Sequence, residues 1–233
     1  MIDLYYWPTP NGWKISIALE EMGLPYEVKW VNIGRGEQFT PEFLAISPNN
    51  RMPAIVDHEP PGGGRPVSIF ESGAILLYLA DKTGGFMPTD LRGRVEVTEW
   101  LMWQMANLGP MSGQAGHFVI YAPEKLPYAI QRYSNEVNRL YGVLNKRLAG
   151  RDYICGEYSI ADMASWPWVA PYERLGQSLD EFPNMRNWFE RMKQRPAVQR
   201  GYDVGKEIRE AHAAGGGPDE EARKILFGQR ART

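Results

Sequence analysis

A single cysteine, Cys155, stands among the 233 residues, which excludes an internal disulfide and any Cys-x-x-Cys redox pair and fits a reducing compartment. Histidine is almost as scarce. His58, His117 and His212 have no spacing that pairs two of them as metal ligands, so no metal is expected. The longest apolar run, Ala74 to Ala80, is far below the roughly 20 residues that cross a bilayer, and Asp3 stands where a secretory signal carries basic residues. A net charge of -2 and a pI near 6.0 exclude the basic field that phosphate backbones demand, so neither nucleic acid nor membrane is an expected partner. The expected location is the cytoplasm. No internal repeat is found. What is present is 43% apolar and 23% charged residues over a length that suits two compact domains.

The first strand is expected at Ile2 to Tyr6, β-branched and aromatic and halted by Pro8 and Pro10; alternation puts Tyr6 on the core face with Ile2 and Leu4. A helix follows over Trp13 to Met22, with Asn11 as its N-cap and Gly23-Leu24-Pro25 as its stop. Tyr26 to Ile33 reads as a second strand, giving a βαβ unit with a parallel pair. A short helix is expected at Pro41 to Ile46, then two strands, Ala54 to Asp57 and Val67 to Phe70, around a Pro/Gly-rich hairpin loop. After them Ser72 caps a helix ending at Gly84. That order, β-α-β then β-β-α, is that of an α/β thioredoxin-like domain. From Arg92 to Tyr202 the periodicity is helical throughout, and Ser159-Ile160-Ala161-Asp162 has the form of a capping box. The expected domains are 1–85 (α/β), 90–202 (an all-α helical bundle) and a charged tail, 203–233. The tail, with Gly215-Gly216-Gly217-Pro218, should leave the bundle, and Ile225-Leu226-Phe227 could serve as a docking patch.

Four pieces of the N-terminal domain should gather at one sheet edge, where loops and helix N-termini meet. Thr9-Pro10-Asn11-Gly12 offers a hydroxyl, an amide and backbone N–H groups where thioredoxin-like redox proteins carry their thiols. The loop is either a plain cap and turn or a cradle for a thiolate brought by a ligand. Met52-Pro53, at the position where this fold has a cis-proline, would turn the Met52 backbone outward to pair with a peptide. Glu71-Ser72, at a strand-to-helix junction, can hold an ammonium and a carboxylate, which together match a γ-glutamyl end. Gln38, after the second strand, adds a polar side chain.

These stretches resemble the glutathione transferases, most closely the nu-class bacterial proteins that act as glutathione-dependent disulfide-bond oxidoreductases. The resemblance covers residues 1 to about 200. It rests on Tyr-Trp-Pro-Thr-Pro-Asn-Gly at 6–12, Ile-Ser-Pro-Asn-Asn-Arg-Met-Pro-Ala-Ile-Val-Asp-His at 46–58, and Phe-Glu-Ser-Gly-Ala-Ile-Leu-Leu-Tyr-Leu-Ala at 70–80. Leu-Gly-Pro-Met at 108–111 and Pro-Tyr-Ala-Ile-Gln-Arg-Tyr at 127–133 complete it. The resemblance implies a homodimer that needs no metal and binds glutathione as co-substrate in a cleft between the two domains. By resemblance, Thr9 and Asn11 sit near the glutathione sulfur and Met52, followed by Pro53, pairs with its cysteinyl backbone. Glu71 and Ser72 hold the γ-glutamyl end, and Gln38 and Arg132 add polar contacts.

With no second cysteine, and with Cys155 read as a buried apolar residue, disulfide reduction by this chain would have to draw both thiols from glutathione. Two other readings stand beside it: conjugation of glutathione to an electrophile, and non-catalytic glutathione binding. For conjugation, Trp100, Trp103, Met111 and Phe118 would either line a pocket or pack as bundle core.

Overall fold

The computed structural model describes residues 1–214 and 218–230. The chain divides into two compact units, one formed by Met1–Ile75 with Arg200–Thr233, the other by Leu76–Gln199.

The first unit is built on β1 (Ile2–Tyr6), α1 (Pro10–Glu21), β2 (Tyr26–Trp30), α2 (Pro41–Ile46), β3 (Ala54–Asp57), β4 (Val67–Phe70) and the beginning of α3 (Ser72–Thr83). The sheet order is β2-β1-β3-β4. The β1/β2 pair is parallel, as a βαβ crossover requires, and β3 and β4 run antiparallel. Alternation in β1 buries Ile2, Leu4 and Tyr6, as the sequence predicts. Three details differ from expectation. Thr9, not Asn11, caps α1: its backbone is extended and its Oγ1 accepts the Gly12 N–H, while Asn11 lies inside the first turn after Pro10. β2 stops at Trp30, three residues early. Ser72 is the first helical residue of α3, and Glu71, at φ 69°, takes the position before it, its carbonyl accepting the Ile75 N–H.

The helical unit contains the rest of α3, then α4 (Leu91–Trp103), α5 (Gly109–Gly116), α6 (Pro127–Arg147), α7 (Ile160–Val169), α8 (Pro183–Lys193) and the start of α9 (Pro196–Asp203). Two π-helical turns, Gln104–Leu108 and His117–Tyr121, flank α5. Pro110 has no N–H to give the α-helical ladder there, and a Cβ at Gly109 would come within 2.8 Å of Gln104 Nε2, so the Gly-Pro pair suits the widened turn. The capping box at the start of α7 is present. The Asp162 carboxylate accepts the Ser159 N–H at 3.0 Å, the Ile154 N–H at 2.9 Å and the Trp188 Nε1–H at 2.9 Å, and is fully buried.

The C-terminal segment groups with the sheet, not with the helices. After α9 come α10 (Lys206–Ala214) and α11 (Glu220–Phe227); Gly215-Gly216-Gly217 lie outside the described residues. The Tyr6 hydroxyl donates to the Val204 carbonyl at 3.0 Å, Ser16 Oγ donates to the Gly201 carbonyl at 2.6 Å, and the Trp13 and Tyr202 rings meet edge-on at 4.7 Å. A Cβ at Gly201 would lie 2.5 Å from Ile17 Cα, so glycine is what lets α9 approach α1 this closely. α11 runs past the Gly34–Gly36 loop, where an added Cβ on Gly34 would touch Ala222 at 3.5 Å and one on Gly36 would meet Ile225 at 3.8 Å.

Candidate functional site

Three side-chain links tie the N-terminal pieces into one surface of the first unit. Thr9 Oγ1, at the start of α1, donates to the Met52 sulfur at 3.6 Å. Asn49 Nδ2 donates to Glu71 Oε1 at 3.2 Å, joining the approach to β3 with the β4–α3 junction. Lys14 Nζ, one turn into α1, donates to Ser72 Oγ at 3.3 Å. The sequence therefore brings Thr9, Met52, Pro53, Glu71 and Ser72 to one edge, with Asn11 on the first turn of α1 beside Thr9.

Local chemistry explains each position. Gly12 follows Asn11 because a Cβ there would overlap the Trp7 carbonyl oxygen and come within 2.9 Å of the Tyr6 ring. The Met52-Pro53 peptide is cis, as expected from the fold position. Among the described residues no hydrogen bond uses the Met52 backbone N–H or C=O, although its side chain packs with Val31, Phe43, Ala54 and Ile33. Thr9's hydroxyl proton is directed at a thioether, a weak acceptor, so it can be traded for a stronger one at little cost. Glu71 is exposed, and Ser72 is buried at the start of α3.

Gln38 and Arg132 take no part in the three links above. Gln38 is 1% exposed; its Nε2 donates to the Ile33 carbonyl at 3.1 Å and its Oε1 is buried with no partner among the described residues. Its geometry is that of a brace for the loop after β2. Arg132, on α6 of the helical unit, is more than half exposed and pairs with Glu136 Oε2 at 3.6 Å.

Sequence reasoning missed Lys14. It is 1% exposed, and burial draws its pKa down to about 7, against the opposing pull of the Glu71 carboxylate. A signal existed: the buried run Gly12 to Leu19 contains Lys14 and Ser16, polar residues on an otherwise apolar face, and both hold partners inside the first unit.

Residues 1–81 match the family described as "Glutathione S-transferase, N-terminal domain", and residues 110–196 match "Glutathione S-transferase, C-terminal domain". The chain belongs to the glutathione transferase family. Among its relatives, the disulfide-bond oxidoreductase YfcG of Escherichia coli (strain K12) is 56% identical over 199 residues, covering 85% of this chain and 93% of that protein. A glutathione transferase of Burkholderia graminis, solved with two glutathione molecules bound per subunit, is 46% identical at a TM-score of 0.83, covering 88% of each chain. Another from Pseudomonas putida, solved with one glutathione disulfide bound per subunit, is 43% identical at a TM-score of 0.82, covering 87% of this chain and 91% of that one.

The one cysteine of this glutathione transferase family member lies in the helical unit. Cys155 is half-buried, where full burial was expected, and desolvation, reinforced by the Asp162 and Glu96 carboxylates, pushes its pKa up to about 11. Trp100, Trp103, Met111 and Phe118 are all only partly buried, so none is closed core; Trp100 packs under the Arg147 guanidinium and Phe118 stacks on Tyr133 at 5.5 Å. No described helix is long and apolar enough to cross a membrane.

Proposed function

We propose that this protein reduces disulfide bonds with two glutathione thiols and no thiolate of its own. The observation that carries the reading is the start of α1. There Thr9 Oγ1 holds its proton on a weak thioether acceptor, the first helical turn adds its amides, and the chain's one thiol is a protonated cysteine in the helical unit. Relatives solved with two glutathione molecules, or one glutathione disulfide, per subunit support the same stoichiometry.

In the proposed reaction one glutathione thiolate attacks a sulfur of the substrate disulfide. The S–S bond breaks, a substrate thiolate leaves, and a mixed disulfide remains. The second glutathione thiolate attacks the glutathione sulfur of that mixed disulfide, forming glutathione disulfide and releasing the second substrate thiolate. Two electrons pass to the substrate, and the two protons shed by glutathione end on its thiols. Thr9 and Asn11 stabilise the attacking thiolate, and the unused backbone pair of Met52, before Pro53, takes up the cysteinyl residue in strand fashion. Glu71 and Ser72 hold the γ-glutamyl ammonium and carboxylate. Arg132 adds a cationic contact, and Gln38 acts by bracing its loop.

The test is a parallel assay with glutathione: reduction of 2-hydroxyethyl disulfide coupled to glutathione reductase, beside conjugation of 1-chloro-2,4-dinitrobenzene. Fast reduction retained in Cys155→Ser supports the proposal; loss of reduction in that variant refutes it. Conjugation as the main activity would favour the second reading, which the partly open Trp100, Trp103, Met111 and Phe118 side chains keep in view. A cytoplasmic homodimer is part of the proposal. The exposed apolar residues Leu91, Val95 and Met102 along α4 suit a subunit interface, which sedimentation equilibrium would detect.

A further inference from the structure

The most anomalous side chain of the first unit is a cation with almost no access to water. Lys14 sits within the apolar run of α1, and a buried ammonium is costly unless it meets a partner of opposite charge. The titratable group acting on it is Glu71, across the β4–α3 junction, and its Nζ is hydrogen-bonded to Ser72 Oγ at the first residue of the twelve-residue helix α3. We infer that Lys14 is a positioning residue for glutathione, its ammonium placed behind Ser72 to supply the charge against which the γ-glutamyl carboxylate is seated. The inference rests on the glutathione reading of Glu71 and Ser72 given above.

The geometry divides the labour between two charges. Glu71 is exposed and open to the ligand's ammonium, while Ser72 relays between the carboxylate outside and Lys14 inside. Without ligand, burial leaves Lys14 with a pKa of about 7, so near neutrality a large share of the molecules hold it uncharged. Arrival of a carboxylate favours the charged form, and binding therefore takes up a proton. A tenfold tighter hold on that proton raises the charged fraction at pH 7.5 from about one quarter to about three quarters, an uptake of roughly 0.5 proton per site.

Calorimetry with S-methylglutathione, which has no thiol to ionise, tests this in two buffers of different ionisation enthalpy. For the wild-type protein we expect uptake of roughly 0.5 proton at pH 7.5 and a Kd that rises about fivefold from pH 6 to pH 8. Lys14→Met should show no such uptake, a Kd flat over that range, and binding about tenfold weaker than wild type at pH 6. Lys14→Arg, permanently charged, should recover affinity without proton uptake. Wild-type binding with no uptake, or equal uptake in Lys14→Met, overturns the role of Lys14 and leaves the glutathione reading intact. Absence of any wild-type binding overturns both. Should Lys14→Met fail to fold, the wild-type proton count and pH profile still decide.

Discussion

Tyr6→Phe separates two ways of activating a bound thiol. A tyrosine at the end of the first strand can donate to a sulfur only if its hydroxyl faces the ligand. Here the side chain is fully buried, its hydroxyl donates to the Val204 carbonyl, and burial raises its pKa well above the ordinary tyrosine value, so it remains a proton-bearing donor at any working pH. Removing the hydroxyl deletes one hydrogen bond and leaves the carbonyl of Val204 short of a partner, at a cost of about 1–2 kcal/mol. For a chain of this size each kcal/mol moves Tm by about 2–4 °C, so Tyr6→Phe should melt roughly 2–8 °C lower. Its kcat/KM for disulfide reduction should stay within about twofold of wild type, because the lost group touches the C-terminal segment and not the sulfur. Asn11→Ala should do the opposite in the assay, with a rate lowered about 10–100-fold, the worth of one hydrogen bond to a charged group. Differential scanning calorimetry and the coupled reductase assay on both variants are decisive. A rate loss of tenfold or more in Tyr6→Phe, with Asn11→Ala silent, would refute the assignment.

Three further perturbations follow from the same contacts. Asp162→Ala strands the donors of Ser159, Ile154 and Trp188 at the start of α7 and should cost about 3–5 kcal/mol in urea melts, whereas a surface carboxylate such as Asp180 should cost under about 0.5 kcal/mol. Gly201→Ala forces a methyl against the Ile17 backbone and should cost at least about 2 kcal/mol, with limited proteolysis then cutting after α9 in preference to elsewhere; a melt unchanged from wild type would contradict the close approach. Lys14 sets a pH dependence of the unliganded protein. Its folded-state pKa, about 7, lies below the unfolded value, so above pH 7 the unfolded chain binds the extra proton and stability climbs as pH rises. Lys14→Met should flatten that climb between pH 7 and 9, measured by chemical denaturation in buffers of constant ionic strength.

The sequence was most readable where one residue's chemistry was sufficient. The alternation of β1, the Pro/Gly stops and the capping box at Ser159 and Asp162 each carry a local reason visible in one dimension. The N-cap of α1 lies two residues before the one the sequence suggests, because Asn and Thr are both good caps and Pro10, a loop former elsewhere, is at home in a helix's first turn. Gln38 is held inside by the Ile33 carbonyl, a contact that leaves no mark in the sequence, since glutamine is seldom buried. What stays hidden in the sequence for Lys14, Tyr6 and Gly201 is the contact each one makes. Their partners, Ser72, Val204 and the Ile17 backbone, lie far away along the chain, and only the fold supplies them.

The seating of the last helices on the sheet unit has a temporal meaning. A ribosome releases β1 and α1 first, but Val204 and Gly201, which engage Tyr6 and Ser16, appear only after all of Leu76–Gln199 has been made. At about 5–20 residues per second that is a wait of roughly 6–25 s. During this interval the nascent sheet carries an open flank, with the Tyr6 hydroxyl and the Trp13 ring not yet covered, which is the kind of surface chaperones attend. A gene fragment ending near residue 85 would freeze the chain in that unfinished state. Shortening the helical unit between the two pieces should speed maturation of the sheet, whereas truncation before Arg200 should leave it waiting indefinitely.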